Sequence, residues 1–223
     1  MSATKKIIAI EGNIGVGKST FTNIMNNAFK NSIVVSEPVD MWLNIKTNPD
    51  DKCCENILGL FYKDIPRWGY TFQNLAYVTR MMKIQDGINS NSDIVFLDRS
   101  LGTDKNVFEK MLYDDGLITD IEHTMYNVWC DFYKNYVNKE NNCKYIYLRC
   151  NPETAYARIQ KRGRIEEKNI TLDYLIKLHK YHEDWLNNSN NNSNNILIID
   201  CDKDFENDIN YQKEIIDNIN KII

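Results

Sequence analysis

The stretch Gly12-Asn13-Ile14-Gly15-Val16-Gly17-Lys18-Ser19-Thr20 constrains this chain more than any other. It stands between Ile7-Ile8-Ala9-Ile10-Glu11, which reads as a short buried strand, and Phe21-Thr22-Asn23-Ile24-Met25, which reads as the start of a helix. Strand, then G-x-x-x-x-G-K-S, then helix is the context in which a glycine-rich loop holds a triphosphate. Glycines let successive backbone N–H groups curl around phosphate without side-chain clash. The helix N-terminus turns its unpaired N–H groups and the positive end of its dipole toward the same anion. On this reading Lys18 reaches the β and γ phosphates, and the Ser19 hydroxyl ligates Mg²⁺.

The rest of the chain alternates apolar runs with helical periods, the pattern of a parallel sheet with crossover helices. Further strands are expected at Ile33–Ser36, Asp93–Asp98, Tyr145–Arg149 and Ile196–Asp200. Helices are expected over about 51–62, 66–87, 103–113, 118–138, from Pro152 into a basic cluster, over 172–187, and from Phe205 to the end. The run from Asn187 to Asn195 is asparagine-rich and reads as a surface loop. With 223 residues and no linker or repeat, one α/β domain spanning 1–223 is expected. A net charge of −4 leaves no basic excess for nucleic acid. Six cysteines show no C-x-x-C pair and no zinc spacing, and so read as reduced, mostly buried thiols. The apolar start before Glu11 is too short for a signal peptide or a membrane span, and a cytoplasmic protein without membrane partners is expected.

Ligands of an open parallel sheet bind beyond the carboxyl ends of its strands. Glu37 follows the second strand, Asp98 and Arg99 end the third, and Asp200, Asp202 and Lys203 follow the fifth. Asp98 stands where such proteins place a second Mg²⁺ carboxylate, the alternative being a strand-end turn residue. Glu37 suits a general base toward an incoming hydroxyl, the alternative being a surface carboxylate before Pro38. Arg158, Arg162 and Arg164 suit a cap over the transferring phosphoryl group, the alternative being cations at a helix C-terminus. Trp42, Tyr62, Trp68, Tyr70 and Phe72 are candidates for a base pocket or for core packing. His179 and His182 lie three apart on a helix without a further ligand nearby, so no zinc site is assigned.

These residues resemble the cellular deoxynucleoside kinases, the group that contains deoxycytidine, deoxyguanosine and mitochondrial thymidine kinases. The matching blocks are Glu11-Gly12-Asn13-Ile14 with the rest of the loop, Glu37-Pro38-Val39 with Trp42, Arg67 to Gln73, and Asp98-Arg99-Ser100. Further on they are Pro152-Glu153-Thr154 with Arg158-Ile159, Arg162-Gly163-Arg164 with Glu166-Glu167, and Leu178-His179 with His182-Glu183 and Trp185-Leu186. The resemblance implies a P-loop kinase fold with a five-stranded parallel sheet, and a homodimer. It implies transfer of the ATP γ-phosphoryl group to a deoxyribonucleoside 5′-hydroxyl in nucleotide salvage.

By position, the resemblance makes Glu37 the base with Arg99 beside it, and Tyr62 and Glu167 the holders of the sugar 3′-hydroxyl. Gln73 pairs with the base between Phe72 and Phe108. Residues 158–169 form an arginine lid, and Lys203, Asp204 and Phe205 lie beside the ATP adenine. The chain departs at Asp98, where animal enzymes carry glutamate while a bacterial purine branch and herpesviral thymidine kinases carry aspartate.

Base choice is read from Gln73 and Arg80, two turns apart on one helix, with Asp104 facing Arg80. A carboxylate there accepts from an exocyclic amino group, and thymine offers none. A purine deoxynucleoside or deoxycytidine is therefore expected, and the resemblance of Trp68 to Gln73 to the deoxyguanosine branch slightly favours purine. The second enzyme reading, a thymidylate-type nucleoside monophosphate kinase, needs cations where Glu37 stands. A GTPase-type switch needs a guanine-reading Asn-Lys-x-Asp that the chain lacks.

Overall fold

The computed structural model describes residues 5–47, 54–136, 143–187 and 195–222. Strand β1 (Lys6–Gly12) is buried along nearly its whole length, as a strand covered on both faces must be. It lies at the centre of an all-parallel sheet with β2 (Ser32–Val35), β3 (Ile94–Asp98), β4 (Lys144–Arg149) and β5 (Ile196–Asp200), in the order β2-β3-β1-β4-β5. At their carboxyl ends Ile10 pairs with Asp98, and Gly12 pairs with Leu148. The chain after β1, β2 and β3 therefore emerges on one rim.

Helices α1 (Lys18–Ala28), α2 (Val39–Leu43), α3 (Ile57–Lys63) and α4 (Ile65–Asn89) precede β3. Next come α5 (Leu101–Thr103), a π-helical turn Asp104–Glu109, α6 (Lys110–Asp114) and α7 (Asp120–Tyr136). After β4 come α8 (Pro152–Arg162), the 3₁₀ turn Ile165–Glu167, α9 (Leu172–His182) with the π turn Glu183–Asn187, and α10 (Ile209–Ile222). One face of the sheet packs Phe21, Met25, Phe96, Ile146 and Leu178. The other packs Ala9, Tyr77, Ile84, Leu97 and Tyr126. A third cluster, Trp42, Phe61, Phe72, Leu112 and Ile118, carries the walls of the site.

Three expectations need correction. The helix expected from residue 51 starts at Ile57, because the Asn56 side chain takes the Gly59 N–H at 2.7 Å and sets an N-cap there. Upstream, Glu55 pairs with Ile45 as an antiparallel bridge. The helix expected over 103–113 runs from Leu101 to Asp114 and contains a π-helical turn. The closing helix starts at Ile209 rather than Phe205, since the Asp208 carboxylate accepts from the N–H groups of Asn210 and Tyr211 at 3.0 Å. Short helix α2 was not anticipated. Except for Asn187 and Asn195, the asparagine-rich stretch lies outside the described residues. The described cysteines form no disulfide.

Candidate active site

The loop between β1 and α1 takes its shape from two glycines in left-handed backbone, Gly15 (φ 81°) and Gly17 (φ 104°). A Cβ on Gly15 would stand 2.5 Å from the Ala155 carbonyl oxygen, and one on Gly17 would stand 2.9 Å from the Phe205 ring. Ile14, Gly15, Gly17, Lys18, Ser19 and Thr20 face a cavity of about 590 Å³. Gly12, Asn13 and Val16 support the loop from behind. Asn13 donates to the Leu175 carbonyl at 2.9 Å and accepts from the Ile14 N–H at 2.8 Å. Lys18 Nζ lies on the loop itself, 3.0 Å from the Asn13 carbonyl and 3.3 Å from that of Gly12. Burial, and then the Arg99 charge, pulls the Lys18 ammonium down to about 8.

Beneath the loop lies a buried charge network. Glu37 is held from two sides, by Arg99 at 2.8 Å and Arg80 at 3.0 Å. Arg80 also forks onto Asp104, its Nε at 2.7 Å and a terminal nitrogen at 3.2 Å. The pairing of Arg80 with Asp104 expected from the sequence is thus present, and Glu37 is a third member. Burial works to raise the Glu37 carboxyl, but Arg99 and then Arg80 outweigh it and hold it down at about 2. The Asp98 carboxyl moves the other way, raised by burial and by the Glu37 charge. Asp98 Oδ1 is buried without a hydrogen-bond partner among the described residues. It faces the same cavity as the Ser19 hydroxyl, so an unengaged carboxylate oxygen and a hydroxyl form the oxygen donor set that suits Mg²⁺.

Arg99 reaches Glu37 from an unusual backbone. Its φ is 68°, and Asn31 is the other non-glycine residue with positive φ among the described residues. Such strain persists where the surroundings over-determine it, and it concentrates at functional sites. The guanidinium also donates to the Gly12 carbonyl at 3.2 Å and stands 5.3 Å from the centre of the Phe108 ring.

The far end of the cavity is aromatic. Phe72 stacks on Phe61 at 4.8 Å and meets Trp42 edge-on at 5.3 Å. The Trp42 indole N–H is anchored on Thr79 Oγ1 at 2.9 Å. Gln73, on the same wall, buries its Oε1 without a partner among the described residues. Tyr62, Phe108 and Glu167 complete the expected lining. Trp68 and Tyr70 do not reach the cavity: Trp68 pairs its ring with Arg67 at 4.4 Å, and both rings pack outward on the third cluster. Both stand near the start of α4, upstream of Phe72, Gln73, Ala76 and Arg80, the residues of this helix that line the cavity.

The three arginines after β4 separate into two kinds. Arg158 is clamped by the Val16 carbonyl at 3.0 Å and the Cys201 carbonyl at 2.9 Å, tying the phosphate loop to the end of β5. Arg162 forks onto Glu167, with bonds of 3.1 and 2.6 Å, and Arg164 approaches that carboxylate at 3.8 Å. Arg162, Arg164 and Glu167 line the cavity, whereas Arg158 stands beside it. Lys203 and Asp204 lie away from it, Lys203 over the Tyr211 ring at 5.1 Å and Asp204 capping the turn to Asn207. Phe205 packs on Gly17 and, edge-on at 6.0 Å, on Phe21. His182 is buried, its Nδ1 2.7 Å from the Leu178 carbonyl, in the position of a core histidine.

Two groups near the site were not singled out in the sequence. Tyr174 of α9 lines the cavity, and nothing in its sequence surroundings signals this. Glu11 is a fully buried carboxylate bonded to Ser100 and Thr103. Its signal was available, a charge inside an otherwise apolar strand.

None of the described helices is long and apolar enough to cross a membrane. A family model described as deoxynucleoside kinase matches residues 8–223. The chain is 37% identical over 218 residues to a probable deoxycytidine kinase of Fowlpox virus (strain NVSL), covering 97% of this chain and 87% of the relative. It is 35% identical over 222 residues to deoxycytidine kinase of Homo sapiens, covering 90% and 85%. To mitochondrial deoxyguanosine kinase of Xenopus laevis it is 35% identical over 222 residues, covering 91% and 83%. By these likenesses the chain belongs to the deoxynucleoside kinase family, phosphotransferases that move a phosphoryl group from a nucleoside triphosphate to a deoxynucleoside in salvage.

Proposed function

We propose that this single-domain, cytoplasmic enzyme transfers the γ-phosphoryl group of ATP to the 5′-hydroxyl of deoxycytidine or a purine deoxynucleoside. The observation that carries the reading is Glu37, pinned between Arg80 and Arg99 at the junction of loop and aromatic pocket. Both arginines there are already neutralised by Glu37 and Asp104, so the acceptor position suits a neutral hydroxyl and not a monophosphate. This disfavours the nucleoside monophosphate kinase alternative.

The donor triphosphate lies along the loop, and Lys18 leaves the Gly12 and Asn13 carbonyls to meet it. Ser19 and Asp98 would hold Mg²⁺, which would supply charge neutralisation for the transfer. Glu37 accepts the hydrogen bond of the 5′-hydroxyl and aims its oxygen. A carboxyl held near 2 is a weak base, but a loose phosphoryl-transfer transition state asks mainly for position and charge. Arg162 and Arg164 release Glu167, which turns with Tyr62 to the sugar 3′-hydroxyl while the arginines cover the phosphates. Lys203, Asp204 and Phe205 border the adenine side.

Gln73 offers its free oxygen and its amide N–H to the base edge, between Phe72 and Phe108. The Arg80–Asp104 pair sets the choice of base. Asp104 accepts from an exocyclic amino group, and thymine would leave it facing a carbonyl and a methyl group, at a cost of about 1–3 kcal/mol. That one relative is named a deoxyguanosine kinase and others deoxycytidine kinases fits a pocket open to both classes. We further propose a homodimer. Ile121, Met125, Val128 and Trp129 form an exposed apolar stripe along α7, at spacings that place them on one face.

A panel of four deoxynucleosides with labelled ATP tests the reading. Deoxycytidine, deoxyguanosine or deoxyadenosine should be phosphorylated well ahead of thymidine, and thymidine at or above their rates would overturn the pocket assignment.

A further inference from the structure

Where β1 and β3 part, the backbone ladder stops at the pair Ile10 and Asp98. The next two N–H groups of the chain leaving β3 are nevertheless caught by β1. Arg99 N donates to the Ile10 carbonyl at 3.0 Å, and Ser100 N donates to the Glu11 side chain at 2.9 Å. The Glu11 carboxylate thus extends the ladder one step beyond its backbone. Its Oε1 also accepts from the Ser100 hydroxyl at 2.6 Å, and its Oε2 accepts from the Thr103 hydroxyl.

The segment gripped in this way holds two arms of the site. Arg99, immediately before Ser100, is the residue in left-handed backbone that reaches Glu37. Asp104, immediately after Thr103, is the residue that receives the Arg80 fork. A carboxylate inside an apolar strand is costly, and a hydrophobic residue of similar size would commonly be neutral or stabilising there. Burial raises the Glu11 carboxyl, and the bonds from Ser100 and Thr103 oppose that rise. Ile8 and Ile10 show what β1 holds where nothing but packing is asked of it.

We propose that Glu11 is a positioning residue for the transfer reaction, bracing the turn from Asp98 to Asp104 so that Arg99 meets Glu37 and Asp104 meets Arg80 in one register. This rests on the site assignment above. It adds a link, because one buried side chain then couples the phosphoryl-transfer end of the cavity to the base-reading end.

The test compares Glu11→Gln, Glu11→Leu and the isosteric Thr103→Val, each assayed as kcat per folded molecule and as the ratio of kcat/KM for thymidine over deoxycytidine. The Gln amide can still accept from Ser100 and donate to the Thr103 oxygen, so Glu11→Gln should stay within about threefold of the unmodified protein. Glu11→Leu and Thr103→Val should each lower kcat by about tenfold, the scale of one lost charge-assisted hydrogen bond. Both should raise the thymidine ratio severalfold as Asp104 slips. A lower melting temperature with unchanged kcat and unchanged base ratio would reduce Glu11 to a purely stabilising role and overturn the proposal. Equal losses in the Gln and Leu variants would overturn it as well, because hydrogen bonding would then not be the cause. If Glu11→Leu fails to fold, Thr103→Val decides by the same two readouts. An unmodified protein without kinase activity would strike the site assignment instead, which keeps the two failures apart.

Discussion

Two sets of arginine–carboxylate pairs border the cavity, and they differ in what surrounds them. In the charge network under the phosphate loop, the Arg80 side chain is 3% exposed and that of Asp104 is 2% exposed. At the end of α8 the Arg162 side chain is 35% exposed, and just beyond it that of Arg164 is 55% exposed. Water screens the second set, so its ion pairs are weak and exchangeable. The first set is almost wholly buried, and removing one partner leaves the other charge undercompensated where bulk water hardly reaches it. Chemistry alone does not separate a fixed ion pair from an exchangeable one. Burial does.

The sharpest way to break this contrast is Asp104→Ala. It leaves the buried Arg80 with Glu37 as its one charged partner and the Asp98 carbonyl as its other acceptor, and unfolding in urea should show a loss of about 3–5 kcal/mol. Adding Arg80→Met should recover part of that loss, since the stranded charge goes with it. A loss comparable to that of a surface pair would mean the network is wet. Next in size is Glu37→Gln. A carboxyl held near 2 accepts protons poorly, so turnover should fall by roughly 10²-fold, the low end for a lost proton acceptor. Undiminished turnover would pass the acceptor role to Asp98.

Lys18 sharpens the comparison through pH. Its ammonium must be protonated to meet phosphate, and burial lowers it to about 8 from an ordinary 10.5. The contribution of that charge to donor affinity is therefore complete well below pH 8 and is lost as pH rises through it. Donor affinity should weaken by about tenfold between pH 7 and pH 9, as one-proton titration requires, and calorimetry can read it. Constant affinity over that range would place Lys18 in water. The smallest effect belongs to the lid. Glu167→Ala should change unfolding free energy by less than about 1 kcal/mol while raising the nucleoside KM. A large stability loss would show the lid to be as rigid as the charge network.

Much of this was legible along the chain because it depends on neighbours in sequence. The phosphate loop is written in consecutive residues, and so are the strands that end in Asp98 and Asp200. Helical period places Gln73 and Arg80 on one face of α4, while for Trp68 and Tyr70 the sequence leaves pocket and core packing open, and the fold packs both on the third cluster. The start of α3 was misplaced because a cap is one hydrogen bond, from Gly59 to Asn56, that outweighs the propensity of the residues before it.

The sequence by itself determined where a triphosphate is held: a glycine loop needs small residues at set intervals, and that requirement survives any packing. What tertiary structure alone decided is which charges are neutralised. Glu37, Arg80, Arg99 and Asp104 span much of the first half of the chain, and their pairing depends on crossovers that bring β2, β3 and α4 to one rim. Arg158 likewise stands apart from Arg162 and Arg164 because the Val16 and Cys201 carbonyls, far apart along the chain, converge on it. Electrostatic free energy follows distance and burial in space, and neither is written in the spacing of residues along a chain.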